Sequence, residues 1–122
     1  MQAIHLTEQE FKNKVGDYTK LGDKWKYIGD KPAIIDFYAS WCGPCRALTP
    51  ILDEIATEHI NSIYVYKVDV DREKELALAF GIRSIPTIFF MPMQGNPRRI
   101  KGALSKSIFE AKISELLMAE TV

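Results

Sequence analysis

The chain has 122 residues, of which 47% are apolar and 26% are charged, as is usual for a single globular domain. Sixteen basic and sixteen acidic residues leave a net charge of zero, which argues against a nucleic-acid-binding protein, where a clustered basic excess is expected. No run of about 18 apolar residues predicts a membrane-spanning helix. No basic start followed by an apolar stretch predicts a secretion signal.

The first 32 residues predict a short helix followed by a loop. Thr7 and Glu10 have the spacing of a capping box, which predicts that a helix starts there. The segment 16–32 is rich in Gly, Asp and Lys and is predicted to be an extended loop. Its aromatic residues Trp25 and Tyr27 are expected to hold this loop against the domain.

The middle of the chain predicts a strand, a helix and a second strand. The segment Ala33–Ala39 is nearly all apolar, as expected for a strand that is covered on both faces. The segment Ser62–Val70 is rich in β-branched and aromatic residues, which favours a strand. Between the two strands, apolar residues repeat at helical spacing at Leu48, Ile51, Leu52 and Ile55.

The last third of the chain predicts a helix between Asp71 as its cap and Gly81 as its end. Thr87–Met91 is then predicted to be a strand, and the segment 98–102 is predicted to return beside it as an antiparallel partner. A final helix follows, with Ser107 and Glu110 at capping spacing. Its inner side is expected to carry Ile108, Phe109, Ile113, Leu116 and Leu117.

Strands that alternate with helices imply crossover connections. We therefore predict one α/β domain with a central mixed, mostly parallel sheet, helices on both faces and an antiparallel C-terminal hairpin.

The two cysteines of the chain, Cys42 and Cys45, lie where the first central strand leads into a helix. They could be half of a metal site, two core thiols or a redox pair. A closed zinc site needs four ligands, and the only histidines, His5 and His59, are far apart in the sequence. Within one chain the ligand count fails, and only a cluster shared between two chains stays open. Core thiols fit poorly, because the ends of such strands are where α/β sheets bind ligands.

A redox pair has a physical basis at this position. Free N–H groups and the dipole of the helix start stabilise an anion at Cys42, and the thiolate is the nucleophilic form of cysteine. Pro44 fits the first turn of a helix, where its missing N–H costs nothing. We expect Cys42 to be exposed and Cys45 to be buried.

Three segments resemble the thioredoxin family: DFYASWCGPCR from residue 36, GIRSIPT from residue 81 and KGALSK from residue 101. They occur in the order and spacing of that family, and the similarity covers about residues 33–118. The resemblance implies the thioredoxin fold for a single domain over residues 1–122. Residues 1–32 then form an N-terminal strand and helix with an extended loop, and residues 33–118 form the core motif region.

The resemblance also implies thiol–disulfide exchange and assigns its roles. Cys42 would attack a substrate disulfide, and Cys45 would resolve the mixed disulfide. Asp36 resembles the buried carboxylate that handles the proton of the resolving cysteine, and Lys67 resembles the lysine near it. Pro86 resembles the family's cis-proline that faces the cysteines.

The contact surface for substrates is implied by the same resemblance. Ile85 would offer backbone hydrogen bonds to an extended substrate segment. Tyr38 stands where the family often has a second tryptophan, and Lys101 stands where an apolar residue is usual. The expected surface comprises Trp41, Gly43, Pro44, Ile85 and Gly102.

Some of these assignments have support in the sequence itself. Asp36 lies between Ile35 and Phe37, so burial should raise its pKa and let it exchange a proton near neutrality; the alternative is an exposed, salt-bridged Asp. Lys67 could equally be an ordinary strand lysine whose stem lies along apolar surface. For Pro86 the sequence alone predicts a trans bond, and only the resemblance implies cis.

The direction of electron flow follows from the residues between the cysteines. A strong oxidant stabilises its reduced thiolate form, and Gly43 and Pro44 supply no cation that would do so. We therefore predict a protein-disulfide reductase with a reversible Cys42–Cys45 disulfide, no bound cofactor and no metal. The resemblance implies that its electrons come from NADPH through a thioredoxin reductase. Its partners would be that reductase and disulfide-containing proteins.

The protein is expected to be a cytoplasmic monomer that neither binds nucleic acid nor inserts into a membrane. Two alternatives stay open. One is an exported, periplasmic reductase whose signal has been trimmed and whose electrons come across a membrane. The other is a non-catalytic binding module with incidental thiols.

Overall fold

The computed structural model describes residues 3–19 and 26–118 of the chain. Within these residues, strands and helices alternate along the chain as predicted. In chain order they are β1 (Ile4–His5), α1 (Glu8–Lys14), β2 (Ala33–Tyr38), α2 (Gly43–Glu58), β3 (Tyr64–Asp69), α3 (Lys74–Ala79), β4 (Thr87–Met91), β5 (Arg98–Lys101) and α4 (Lys106–Lys112). One wider helical turn, Ile113–Leu117, continues α4, and there the N–H of Met118 donates to the carbonyl of Ile113 at 2.9 Å.

The described strands form one five-stranded sheet in the order β1-β3-β2-β4-β5. β3 runs parallel to β1 and β2, whereas β4 runs antiparallel to both β2 and β5. The predicted α/β architecture with a mixed sheet and an antiparallel C-terminal hairpin is therefore confirmed. Two of the four pairings are antiparallel because β4 runs opposite to its neighbours, while the other four described strands, β1, β2, β3 and β5, share one direction.

The connection after β3 covers residues 70–86 and contains the short helix α3. It does not return the chain to the far end of the sheet, since β4 pairs antiparallel with β2 and Thr87 lies opposite Phe37. β4 starts at the end of the sheet where β2 and β3 finish, and this places the segment before Thr87 beside the cysteines.

Two apolar clusters cover the two faces of the sheet. On one face, side chains of α2 and α4 such as Leu52 and Phe109 pack on Ile34, Ile88 and Phe90. On the other face, side chains of α1 and α3 pack on β2 and β4, among them Phe11, Leu76, Ile35, Phe37 and Phe89. Because neighbouring residues of a strand point to opposite faces, Asp36 shares the α2 face with Ile34.

The helix ends agree with the sequence in two cases. Thr7 caps α1, and its hydroxyl accepts from the N–H of Glu10 while the Glu10 carboxylate accepts from the N–H of Thr7, a complete capping box. α3 ends as predicted at Gly81, which has a φ of +63°. The N–H groups of Gly81 and Ile82 donate back to Leu78 and Ala77, which closes the helix.

The other two predicted caps are wrong. α3 is preceded by Glu73 rather than Asp71, because the Asp71 carboxylate accepts a hydrogen bond from a side chain elsewhere in the fold. α4 is capped by Ser105, whose hydroxyl accepts from the N–H of Ile108, so Ser107 lies inside the helix. Ile108 is 45% exposed, not inward as expected, because neighbouring residues of a helix lie about 100° apart and Phe109 takes the inner position.

The loop before β2 is partly described. The Tyr27 side chain packs against the cluster on the α1 and α3 face, and its hydroxyl donates to the carbonyl of Lys31. The expected contact of Trp25 lies outside the described residues. None of the helices in residues 3–19 and 26–118 has both the length and the apolar character needed to cross a membrane.

Candidate active site

The two cysteines open helix α2 and are joined in a disulfide, with their Cα atoms 5.2 Å apart. A turn after β2, closed by a hydrogen bond from the N–H of Cys42 to the carbonyl of Ala39, leads the chain into the helix. Cys42 is the residue that caps α2, and its Sγ accepts from the N–H of Cys45 at 3.2 Å. Pro44 lies in the first turn, where no partner for its missing N–H is needed.

Both cysteine side chains are buried in this disulfide form. Cys42 is 5% exposed and Cys45 is 2% exposed, so the expectation of an exposed Cys42 is wrong for this state. The reason is a small apolar cluster in which the cysteines and Ala39 pack against Tyr38, Val70 and Ile85.

The segment before β4 lies directly against the first cysteine. The Sγ of Cys42 is 3.9 Å from the carbonyl oxygen of Ile85. The bond between Ile85 and Pro86 is cis, as the resemblance implies. The N–H of Gly102 donates to the carbonyl of Pro86 at 2.8 Å, and Lys101 pairs with Thr87, so the end of β5 lies beside the same segment.

Trp41 is the exposed aromatic residue of the site, with 67% of its surface accessible. Its indole Nε1 donates to the carboxylate of Asp71 at 2.8 Å, which fixes the ring next to Cys42. Gly43 and Pro44 are also exposed at the helix start. The structure thus places Trp41, Gly43, Pro44, Ile85 and Gly102 around the disulfide, at the end of the sheet where β2 finishes.

Asp36 lies in the central strand and is fully buried. Its neighbours across the sheet are Lys67 on β3 and Ile88 on β4. Neither of its carboxylate oxygens has a hydrogen-bond donor among the described residues. Burial raises the pKa of Asp36 to about 7, and the nearby charge of Lys67 lowers it by less than burial raises it. The expected shift of this carboxyl towards neutrality agrees with the geometry.

Lys67 is 7% exposed, and its ammonium group is held by two neighbours other than Asp36. Its Nζ donates to the hydroxyl of Thr49 at 3.3 Å and lies over the ring of Tyr38, 4.5 Å from the centroid. Tyr38 in turn lies 3.0 Å from the Nδ1 of His5 through its hydroxyl. In the described residues no ion pair joins Lys67 to Asp36.

Two contacts of this site were not foreseen from the sequence. Thr49 lies one helical turn after Cys45, and residues four apart share a helix face, so its position near the site could have been read from spacing. The sequence predicts that Asp71 caps a helix, and only the fold brings its carboxylate to Trp41. Among the residues that the structure describes, no group of three His, Cys, Asp or Glu side chains has the arrangement of a metal site.

Comparison with known proteins agrees with the geometry. A family model described as thioredoxin matches residues 2–115. A thioredoxin from Borreliella burgdorferi is 48% identical over 113 residues, which cover 93% of this chain and 96% of that protein. A bifunctional thioredoxin reductase/thioredoxin from Mycobacterium leprae is 40% identical over 88 residues, which cover 72% of this chain and 19% of that protein.

A solved structure also matches. The crystal structure of chloroplastic thioredoxin z aligns with a TM-score of 0.78 and covers 94% of each chain at 24% identity, a likeness that supports the fold. The family match and the cysteine pair at a helix start lead to one conclusion. This chain belongs to the thioredoxin family of thiol–disulfide oxidoreductases and is a protein-disulfide reductase.

Proposed function

We propose that this reductase works by dithiol–disulfide exchange in which Cys42 attacks and Cys45 resolves. The Cys42 thiolate attacks one sulfur of a substrate disulfide, the substrate S–S bond breaks, and the other substrate sulfur leaves as a thiolate that takes up a proton. Cys45 then loses its proton and attacks the Cys42 sulfur. The second substrate thiol leaves, the Cys42–Cys45 disulfide forms, and two electrons have passed to the substrate.

The observation that supports this order is the hydrogen bond from the N–H of Cys45 to the Sγ of Cys42 at 3.2 Å. In the reduced protein the same donor, at the positive end of α2, would stabilise a thiolate on Cys42. Cys45 lies inside the first turn and is the more buried of the two. It therefore suits the second step, which takes place within the complex.

We assign the proton of Cys45 to Asp36. This carboxylate lies on the sheet face that α2 covers, and its pKa of about 7 suits exchange of a proton near neutrality. We assign a supporting electrostatic role to Lys67, because its charge lowers the pKa of that carboxyl. Pro86 completes this set by holding the segment of Ile85 against Cys42.

The substrate surface is proposed to be the ring of residues around Cys42. An extended substrate segment would bond to the backbone of Ile85, which lies beside Cys42. Trp41 would supply apolar contact area, and the small residues near it would let the substrate approach. These small or flat contacts are Gly43, Pro44 and Gly102.

Electrons are proposed to come from NADPH through a thioredoxin reductase, and no cofactor is proposed to bind to this chain itself. A relative that joins both activities in one protein supports this pairing. We further propose that residues 1–122 form a single domain that acts as a cytoplasmic monomer on disulfide-containing proteins.

A coupled assay tests the proposal. Oxidation of NADPH is followed with a bacterial thioredoxin reductase and a disulfide-bonded protein, for the wild type and for Cys42→Ser. The wild type should turn over, and Cys42→Ser should stay at background. Dithiothreitol as an alternative electron donor separates the test of the donor from the test of the disulfide-reductase activity. Turnover with dithiothreitol alone would reject the reductase as donor, and no turnover with either donor would reject the function.

A further inference from the structure

Lys67 and Asp36 are direct neighbours on adjacent parallel strands. Such neighbours have backbones about 4.8 Å apart and side chains on the same face of the sheet. The four-carbon stem of a lysine is long enough to bring its ammonium group onto a carboxylate at this position. Yet neither oxygen of Asp36 receives a hydrogen bond in the described residues, and no ion pair forms between the two side chains.

The ammonium group of Lys67 is drawn in another direction. It donates to the Thr49 hydroxyl on α2 and faces the ring of Tyr38 on β2. An ammonium group over an aromatic face is attracted by the negative charge density of the ring, more strongly where water is excluded. The ring itself is held by His5, through a 3.0 Å contact to the hydroxyl and an edge-on packing of the two rings at 5.8 Å.

We propose that Thr49 and Tyr38 are positioning residues that hold the Lys67 ammonium group away from Asp36. They keep the carboxylate without a direct ion-pair partner inside the core. Lys67 then acts on Asp36 only through its charge at a distance, which is weaker than a hydrogen-bonded pair. Tyr38 also packs against the apolar cluster of the cysteines, but in this positioning role both residues act through Lys67.

Few other groups near Asp36 could change the pKa of its carboxyl. Its other strand neighbour, Ile88, is apolar. In the part of the chain that the structure describes, Lys67 is the charged group that acts on Asp36. Cys45, one turn before Thr49 in α2, is held in the disulfide. The remaining charged groups lie around His5 and Tyr38 and comprise Asp53, Asp69 and Arg72.

The catalytic consequence rests on the role proposed above for Asp36. An ion pair with Lys67 would lower the pKa of Asp36 by roughly one to three units and so weaken it as a proton acceptor near neutrality. Holding the ammonium group away preserves the raised pKa that burial creates. The contacts with Thr49 and Tyr38 thus keep the Lys67 charge near the Asp36 carboxyl without letting an ion pair form.

The test measures the titration of Asp36 directly and does not depend on activity. The oxidised protein is labelled with ¹³C at aspartate carboxyl carbons, and Asp36→Asn identifies the signal. Thr49→Val removes the hydroxyl and Tyr38→Leu removes the ring face. Thr49→Ser keeps the hydroxyl, and Tyr38→Phe keeps the ring face, which the edge-on packing with His5 still holds without the tyrosine hydroxyl. The titration midpoint of Asp36 should fall by roughly one pH unit or more in Thr49→Val and in Tyr38→Leu. It should stay unchanged in Thr49→Ser and in Tyr38→Phe.

A lysine-free background separates this positioning from a general disturbance of the core. In Lys67→Met the Asp36 midpoint should lie above that of the wild type, and adding Thr49→Val or Tyr38→Leu should no longer lower it. An unchanged midpoint in the single variants would overturn the proposal, as would an equal fall in the Lys67→Met background. If the titrations behave as expected but mixed-disulfide release keeps its pH profile, the catalytic role of Asp36 fails while the positioning stands.

Discussion

The carbonyl oxygen of Ile85 lies 3.9 Å from the Sγ of Cys42, although the two residues are 43 positions apart in the chain. This contact joins the two halves of the site, the start of α2 and the segment before β4. A substrate strand that bonded to the backbone at Ile85 would bring its own sulfur next to Cys42. Under the proposed mechanism, the position of this carbonyl would connect substrate binding to the choice of Cys42 as the attacking sulfur.

Replacing Cys45 by Ser should trap the first intermediate. The Cys42 thiolate still attacks the substrate, but no second thiol is available to displace it. We expect a covalent complex that is released by dithiothreitol, visible by mass spectrometry with the cross-link at Cys42. Cys42→Ser is the matched control and should give no complex. A cross-link through Cys45 in that variant would reverse the assignment of the two cysteines.

Replacing Asp36 by Asn should slow release of the mixed disulfide near pH 7. The amide cannot accept the proton of Cys45, and a positioned base typically contributes about 100-fold or more. Above about pH 9 a thiol ionises without help, so the variant should approach the wild type there. Single-turnover release kinetics between pH 6 and 9 measure this. A deficit of the same size at every pH would show that Asn disturbs the site instead.

Asp36 should also make the stability of the oxidised protein depend on pH. Its folded-state pKa of about 7 lies above its ordinary value of 3.8, so the folded state binds the proton more tightly than the unfolded state. Stability is then highest below about pH 4 with respect to this group and falls as the pH rises to 7. The loss is of order 4 kcal/mol, since each pKa unit corresponds to about 1.4 kcal/mol.

Urea unfolding of the wild type and Asp36→Asn from pH 4 to 8 tests this dependence. The stability gained by the Asn variant relative to the wild type should grow with pH across that range. A constant difference between the two proteins would mean that Asp36 titrates at its ordinary value in the fold.

Gly102 should tolerate alanine less well than Gly43 does. Gly102 has a φ of +90°, a conformation that costs an L-residue about 1–2 kcal/mol, although nothing crowds a Cβ there. Gly43 also has free space but lies at the start of a helix, where alanine is favourable. Thermal unfolding should show a lower midpoint for Gly102→Ala and none of this loss for Gly43→Ala. Equal midpoints would contradict the conformational argument.

Trp41 should matter for protein substrates and little for folding. Its ring is largely exposed, so Trp41→Ala removes few core contacts. An aromatic anchor at a contact surface is typically worth 1–2 kcal/mol or more, so kcat/KM for a protein disulfide should fall about tenfold. Hydroxyethyl disulfide, a small neutral substrate, should be reduced at an unchanged rate. Leu78→Ala, which alters another exposed apolar side chain on α3, should change neither rate.

Much of the fold can be predicted from local sequence patterns. The capping box at Thr7, the strand Thr87–Met91 and the helix start at Cys42 were readable because each depends on residues within a few positions. The burial of Asp36 was also readable, since an apolar strand in the centre of an α/β sheet is covered on both faces.

Contacts between residues that are far apart in the sequence cannot be predicted in this way. Asp71 resembles a helix cap locally, but its carboxylate bonds to Trp41, thirty residues earlier. The antiparallel run of β4 depends on the path that residues 70–86 take across the fold, which the residues of β4 do not specify. The contact between Lys67 and Thr49 joins a strand to a helix across the fold, so only the assembled core reveals it.

The two edges of the sheet bear on how copies of this protein meet one another. β1 is two residues long, and β5 carries three exposed cations, Arg98, Arg99 and Lys101, directly after Pro97. A second chain that aligned with β5 would bring like charges together along the strand, and β1 offers too few backbone groups for stable pairing. Crowded solutions of this small reductase should therefore resist growth of sheet-to-sheet aggregates, which leaves the disulfide end free to meet its substrates.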